Sequence, residues 1–228
     1  MTEKLLDAVQ RETGPKPQAA VIWLHGLGDS GHGFSPIVPQ LDLDGCPDIR
    51  FIFPHAPAMP VTINNGYVMP AWYDIRDGDL AQREDEAGLR KSEAAIAKLI
   101  AREHARGIPY ERIVLAGFSQ GCAMTLQTGL RFPHRLAGLL GLSGYLPLGH
   151  TLANERHAAN AKTPLMLMHG KQDPVVPIRR AEQSRDLLAA LGYRVEWRAY
   201  PMEHTVIDEE LDHISAWLRA RLCPPAAQ

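Results

Sequence analysis

Six short apolar runs, spaced by longer segments of helical periodicity, limit what this chain can fold into. Ala19 to Leu24, Arg50 to Pro54, Ile113 to Gly117, Gly138 to Ser143, Leu165 to Met168 and Arg194 to Tyr200 read as strands. Most are continuously apolar rather than alternating, the pattern of a parallel sheet covered on both faces. The segments between them carry helix signals at about Glu84 to Ala105, Gln120 to Arg131, Ile178 to Leu191 and Ile207 to Leu222. In the first of these, Leu89, Ile96, Leu99 and Ile100 recur at helical spacing, and Gly107 and Pro109 stop the run. Strand–helix alternation of this kind predicts an α/β sheet with right-handed crossovers. No repeat or linker interrupts it, so one domain over residues 1–228 is expected. The stretch from Ala56 to Asp79, rich in Pro, Gly and Asn, breaks the alternation. Its length predicts a lid or binding loop.

With 45% hydrophobic residues in 228, the chain has material for a full core. A formal net charge of −2 gives no pull toward nucleic acid or anionic membrane. No stretch approaches the roughly 20 apolar residues that cross a bilayer, so stable membrane insertion is not expected. The N-terminus has no signal-peptide pattern, and Thr2 excludes N-myristoylation. A soluble cytoplasmic protein is the expectation. Cys46, Cys122 and Cys223 are odd in number and lack C-x-x-C spacing, which predicts free thiols rather than a disulfide or a metal site.

Ile113 to Gly121 reads I-V-L-A-G-F-S-Q-G, placing G-x-S-x-G between an apolar strand and a helical pattern, with Ser119 at its centre. That context is a nucleophile elbow, a tight strand-to-helix turn that tolerates only small flanking residues and lifts the serine Oγ above the sheet. The amino end of the next helix then favours developing negative charge. Ser143, in G-L-S-G-Y, lacks the second glycine and is followed by Pro147, so it reads as a strand-end residue. Cys122 reads as a small buried core residue.

A serine hydroxyl needs an imidazole to take its proton and a carboxylate to fix that imidazole's tautomer. Around such an elbow the chain order is Ser, acid, His. Asp173 follows the strand P-L-M-L-M in H-G-K-Q-D-P-V-V-P, although an ordinary Asp-Pro turn is the alternative role. His204 lies between the strand R-V-E-W-R-A-Y and the last helix, a fitting place for the base. His150 and His157 precede Asp173, His213 falls inside the final helix, and His169 reads as a local hydrogen-bonder. Glu203 reads as solvated.

After the first of these strands comes H-G-L-G-D-S-G-H-G, which spells G-x-G-x-x-G at Gly26, Gly28 and Gly31. Asp29 would face a pyrophosphate, Pro36 and Pro39 interrupt any following helix, and no ribose-binding acid ends the second strand. An oxyanion loop is the better reading, with glycines letting the backbone approach a substrate and His25 as a structural hydrogen-bonder.

Taken together and in order, L-H-G-L-G-D-S, M-P-A-W-Y-D-I, G-F-S-Q-G, L-S-G-Y-L-P, H-G-K-Q-D-P-V-V-P and M-E-H-T-V resemble the phospholipase/carboxylesterase family of α/β-hydrolases. That family includes acyl-protein thioesterases and bacterial carboxylesterases. The likeness runs from about Val21 to Leu218. It implies an α/β-hydrolase fold with Ser119 as nucleophile, His204 as base and Asp173 as its orienter. It further implies the N–H groups of Leu27 and Gln120 as oxyanion hole, and Met69, Trp72, Val175 and Met202 along an acyl pocket. Cys122 stands where many members carry glycine.

The expected activity is carboxylesterase chemistry on a small-molecule ester or acyl thioester, with no metal or organic cofactor. Acyl-protein thioesterase or lysophospholipase action is the neighbouring reading, and a non-catalytic interaction module on the same fold is the rival from another class. Homodimers occur among relatives, so a homodimer is a possible state.

Overall fold

The computed structural model describes residues 5–76 and 84–223. Its main sheet has seven strands: β1 (Ala8–Glu12), β2 (Ala19–Leu24), β3 (Ile49–Pro54), β6 (Ile113–Phe118), β7 (Gly138–Leu142), β8 (Leu165–Gly170) and β9 (Val195–Tyr200). The missing numbers belong to a separate hairpin, β4 (Ala58–Val61) and β5 (Tyr67–Pro70). The helices are α1 (Gly31–Phe34), α2 (Glu86–Ala105), α3 (Gln120–Arg131), α4 (Gly149–Glu155), α5 (Ile178–Ala190) and α6 (Asp208–Leu222). Strand order is β1-β3-β2-β6-β7-β8-β9, with only β1 antiparallel to its neighbour.

Each expected strand and helix forms within a few residues of its predicted bounds. The apolar runs are continuous because both sheet faces are covered. In β2, Ala20, Ile22 and Leu24 enter a core shared with α2 and α3. Ala19, Val21 and Trp23 enter a second core closed by α6. An alternating strand would have left polar side chains in one of these cores.

Three features depart from the expectations. β1, A-V-Q-R-E, has no apolar run because it is an edge strand with three of its five residues exposed. Arg50 of β3 holds it in place, donating to Glu12 at 2.7 Å and to Glu103 of α2 at 2.9 Å. The stretch from residue 56 is less irregular than predicted, since it contains the β4–β5 hairpin with Met59 opposite Met69. Two-stranded pairing has free edges, so Pro60 and Pro70 remove no needed ladder bond. Residues 77–79 of that stretch lie outside the described residues. Finally, Cys46 and Cys223 form a disulfide rather than standing as free thiols, with Cα atoms 4.5 Å apart. Their separation of 177 residues hid the pairing, because only the packing of α6 beside the loop before β3 brings them together. Cys122 is free and buried, and burial pushes its thiol up to about 12.

Candidate active site

Ser119 links β6 to α3 with φ 55° and ψ −117°, a conformation that costs a side-chain-bearing residue about 1–3 kcal/mol. Its surroundings enforce it. The Ser119 N–H donates to Leu142 O at 2.8 Å, and Ser119 O accepts from Ala123 N–H at 3.1 Å. The flanking glycines are sterically required. A Cβ on Gly117 would sit 2.2 Å from Gly121 O, and one on Gly121 would sit 2.1 Å from Leu24 O. The serine residue is nearly buried, at 9% exposure.

Asp173 lies in the turn after β8 with its side chain wholly buried. Its Oδ1 accepts from the Val175 and Val176 N–H groups, both at 2.8 Å. Its Oδ2 bonds His204 Nδ1 at 2.6 Å. An ionised carboxylate with three such donors is well compensated for burial. His204 is therefore the Nδ1–H tautomer when neutral, which leaves Nε2 as the acceptor. Its ring packs on Phe118, the residue before the serine, with centroids 4.7 Å apart.

The loop after β2 lies against the elbow, since a Cβ on Gly26 would be 3.3 Å from Ser119 Cβ. Gly28, at φ 78°, turns the chain and donates its N–H to Pro70 O at 2.8 Å, joining this loop to the end of β5. Leu27 sits inside that turn, and Gln120 is the first residue of α3. Among the described hydrogen bonds, none uses the N–H of Leu27 or Gln120. Two amides are thus spare on the loop and helix end that flank Ser119, the arrangement that stabilises an oxyanion.

The four residues implied for the acyl pocket divide into two kinds. Met69 is half-buried, with its Sδ 3.4 Å from Asn64 Nδ2 and next to Gly28. Val175, beside Asp173, is 59% exposed. Trp72 and Met202 are both buried. Trp72 donates its indole N–H to His25 O at 2.9 Å, and Ser92 Oγ donates to its carbonyl. Met202 packs in the second core, and its carbonyl accepts from Gln172 N–H at 3.0 Å.

Three supporting residues carry roles that sequence reasoning did not assign in full. The Gln120 side chain accepts from Trp72 N–H and donates to Tyr73 O, both at 2.8 Å, so the residue after the serine also anchors the root of the hairpin. His25 accepts from Ala56 N–H at 3.0 Å through Nε2 and donates from Nδ1 to Gly26 O at 2.7 Å. Burial lowers its pKa, in keeping with that neutral form. His169 donates from Nε2 to Val176 O at 2.8 Å and lies 3.4 Å from Asp173 Oδ2. Burial lowers its pKa too, against the pull of Val176 O and Asp173. The signal for both histidines was a His-Gly pair ending an apolar strand. The Gln120 contacts had no local signal, because their partners lie 47 and 48 residues away.

Among the described residues, no cluster of three or more His, Cys, Asp or Glu could hold a metal ion. No helix among them is long and apolar enough to cross a membrane.

The sequence model of a family described as phospholipase/carboxylesterase matches residues 7–222. Acyl-protein thioesterase 1 of Gibberella zeae is 45% identical over 218 residues, covering 90% of this chain and 92% of that protein. The Neurospora crassa protein of the same name is 44% identical over 230 residues, covering 96% and 91%. The crystal structure of Zea mays acyl-protein thioesterase 2 superposes with a TM-score of 0.82 at 34% identity, covering 95% of this chain and all of that one.

Proposed function

The chain belongs to the phospholipase/carboxylesterase family of α/β-hydrolases, and from that premise we propose that Ser119, His204 and Asp173 act as its catalytic triad. The reaction is hydrolysis of carboxylic esters and acyl thioesters. The observation that carries the assignment is the 2.6 Å bond from His204 Nδ1 to a buried carboxylate, with the same ring packed against the residue before Ser119.

His204 Nε2 takes the proton of Ser119 Oγ as Oγ bonds the substrate carbonyl carbon. The carbonyl oxygen becomes an oxyanion held by the N–H groups of Leu27 and Gln120. The tetrahedral adduct collapses, the bond to the alcohol oxygen or thiol sulfur breaks, and His204 returns the proton to that atom. Water then adds by the same route, releasing the acid and restoring the serine. Asp173 remains ionised and steadies the imidazolium.

The names of the fungal and plant relatives given above favour thioesters as physiological substrates. Met69 and Val175 offer reachable apolar surface for the acyl chain, while Trp72 and Met202 are buried in separate cores. A substrate series tests this: nitrophenyl esters of rising acyl length against an acylated cysteine peptide. Ser119→Ala and His204→Ala should each remove nearly all turnover, on the order of 10⁴-fold or more, with the fold intact by circular dichroism. A fluorophosphonate probe should label wild type once and Ser119→Ala not at all. Wild-type turnover in either variant contradicts the assignment.

A further inference from the structure

A groove of about 390 Å³ opens beside His204, and none of the roles assigned so far uses it. Phe34, Ile37, Val206 and Leu211 form its apolar walls, with Phe118 at its inner end. Phe118 touches both sides of this space, at 5.4 Å from the Phe34 ring and 4.7 Å from the His204 ring. An apolar surface therefore runs unbroken from the imidazole into the groove. The size falls in the range of small-molecule sites and exceeds what a water or a methyl alcohol requires.

The charge on this groove is one-sided. Asp208 lies on its rim, and no Lys or Arg is among the residues that line it. Asp208 stands in the first turn of α6, where a carboxylate suits the helix dipole. It has no ion-pair partner among the described residues, so its charge is available to an incoming group.

We propose that this groove receives the leaving half of the substrate, and that Asp208 biases it toward cationic over anionic alcohols and thiols. The proposal rests on His204 being the acid of the proposed mechanism. The departing oxygen or sulfur must lie within hydrogen-bond reach of the imidazolium that protonates it, so whatever is attached extends into adjoining space. On the other side of the elbow the β4–β5 hairpin offers Met69 to the acyl chain. The two halves of the substrate thus lie on opposite sides of the imidazole, and specificity for each is set by different elements.

The test compares two thioesters with the same short acyl group, one of the quaternary ammonium thiol thiocholine and one of thioglycolate. Reading the ratio of their kcat/KM values within a single preparation cancels any uniform loss of activity. The preference for the cationic thiocholine ester should be about threefold greater in wild type than in Asp208→Asn at low salt, the difference shrinking as ionic strength rises. Asp208→Lys should lower the ratio further, below that of Asp208→Asn. Gln40→Lys, on another part of the lining, should move the ratio the same way and serves should Asp208→Lys fail to fold. A ratio unchanged in these variants, including one where both esters lose activity equally, overturns the proposal. Retained hydrolysis of both esters by Ser119→Ala would instead strike at the triad and leave the groove unaccused.

Discussion

Two buried acids, 37 residues apart in sequence, meet opposite fates in this molecule. Asp173, in the turn after β8, has both carboxylate oxygens engaged by donors. Glu210, in the first turn of α6, is equally hidden, yet neither of its oxygens has a hydrogen-bond partner. Burial pushes the Glu210 carboxyl up to about 8, opposed only by the nearby Ile207 amide. At neutral pH it is therefore the protonated acid. The contrast is one of compensation: donors converge on one buried carboxyl, while burial of the other goes unanswered and raises its pKa. One site surrounds a carboxylate with donors, the His204 imidazole among them. The other holds a neutral group at the base of the helix that follows His204.

The sharpest way to break the comparison is to make Asp173 resemble a neutral acid. In Asp173→Asn the carboxamide oxygen can still accept from Val175 and Val176. Its NH₂ then faces His204 Nδ1 and forces the imidazole into the tautomer that cannot take a serine proton. A fall of about 10⁴ in kcat is expected with little change in thermal stability. A loss under tenfold would mean that Asp173 does not orient the base.

His169→Leu should have a smaller effect. It removes the donor to Val176 O and loosens the turn that aims Asp173, so a drop of about 10- to 100-fold in kcat is expected, with KM little altered. His169→Gln should recover part of it by donating from its carboxamide. Equal activity in the Leu and Gln variants would mean that the histidine only fills space.

The smallest effect concerns Glu210. Its folded pKa lies above the unfolded value, so the folded state binds the extra proton between roughly pH 4.5 and 8. Stability contributed by this group is complete below that window and declines as pH rises through it, by at most about 1.4 kcal/mol per unit. Glu210→Gln should flatten the decline of melting temperature between about pH 5 and 8. An unchanged slope would show that the carboxyl is already ionised, and the comparison with Asp173 would fail.

Much of this was readable from residues with strong local grammar. The elbow was visible because Gly117 and Gly121 are enforced by backbone contact, leaving a fixed spacing in the sequence. The inner strands were visible because two covered faces demand unbroken apolar runs. Asp173 and His204 could be picked out because strand ends mark them. The remainder depends on partners far along the chain. β1 is ordered by an arginine on β3, the hairpin by Asp74 accepting from the N–H and hydroxyl of Thr62 at its turn at 2.7 and 2.6 Å, and the disulfide by the docking of α6. Glu210 shows the same gap from the other direction: an acid in a helix's first turn usually signals a solvated cap, and only packing reveals it as entombed.

The double duty of Gln120 limits how such enzymes can be rebuilt. A hairpin taken from another hydrolase would fit here only if its root offered one amide hydrogen and one carbonyl at the spacing of a single carboxamide. Exchange of substrate-covering loops is thus gated by a residue that never leaves the helix, and a mismatch would surface as a misplaced anion cradle rather than as a changed acyl preference.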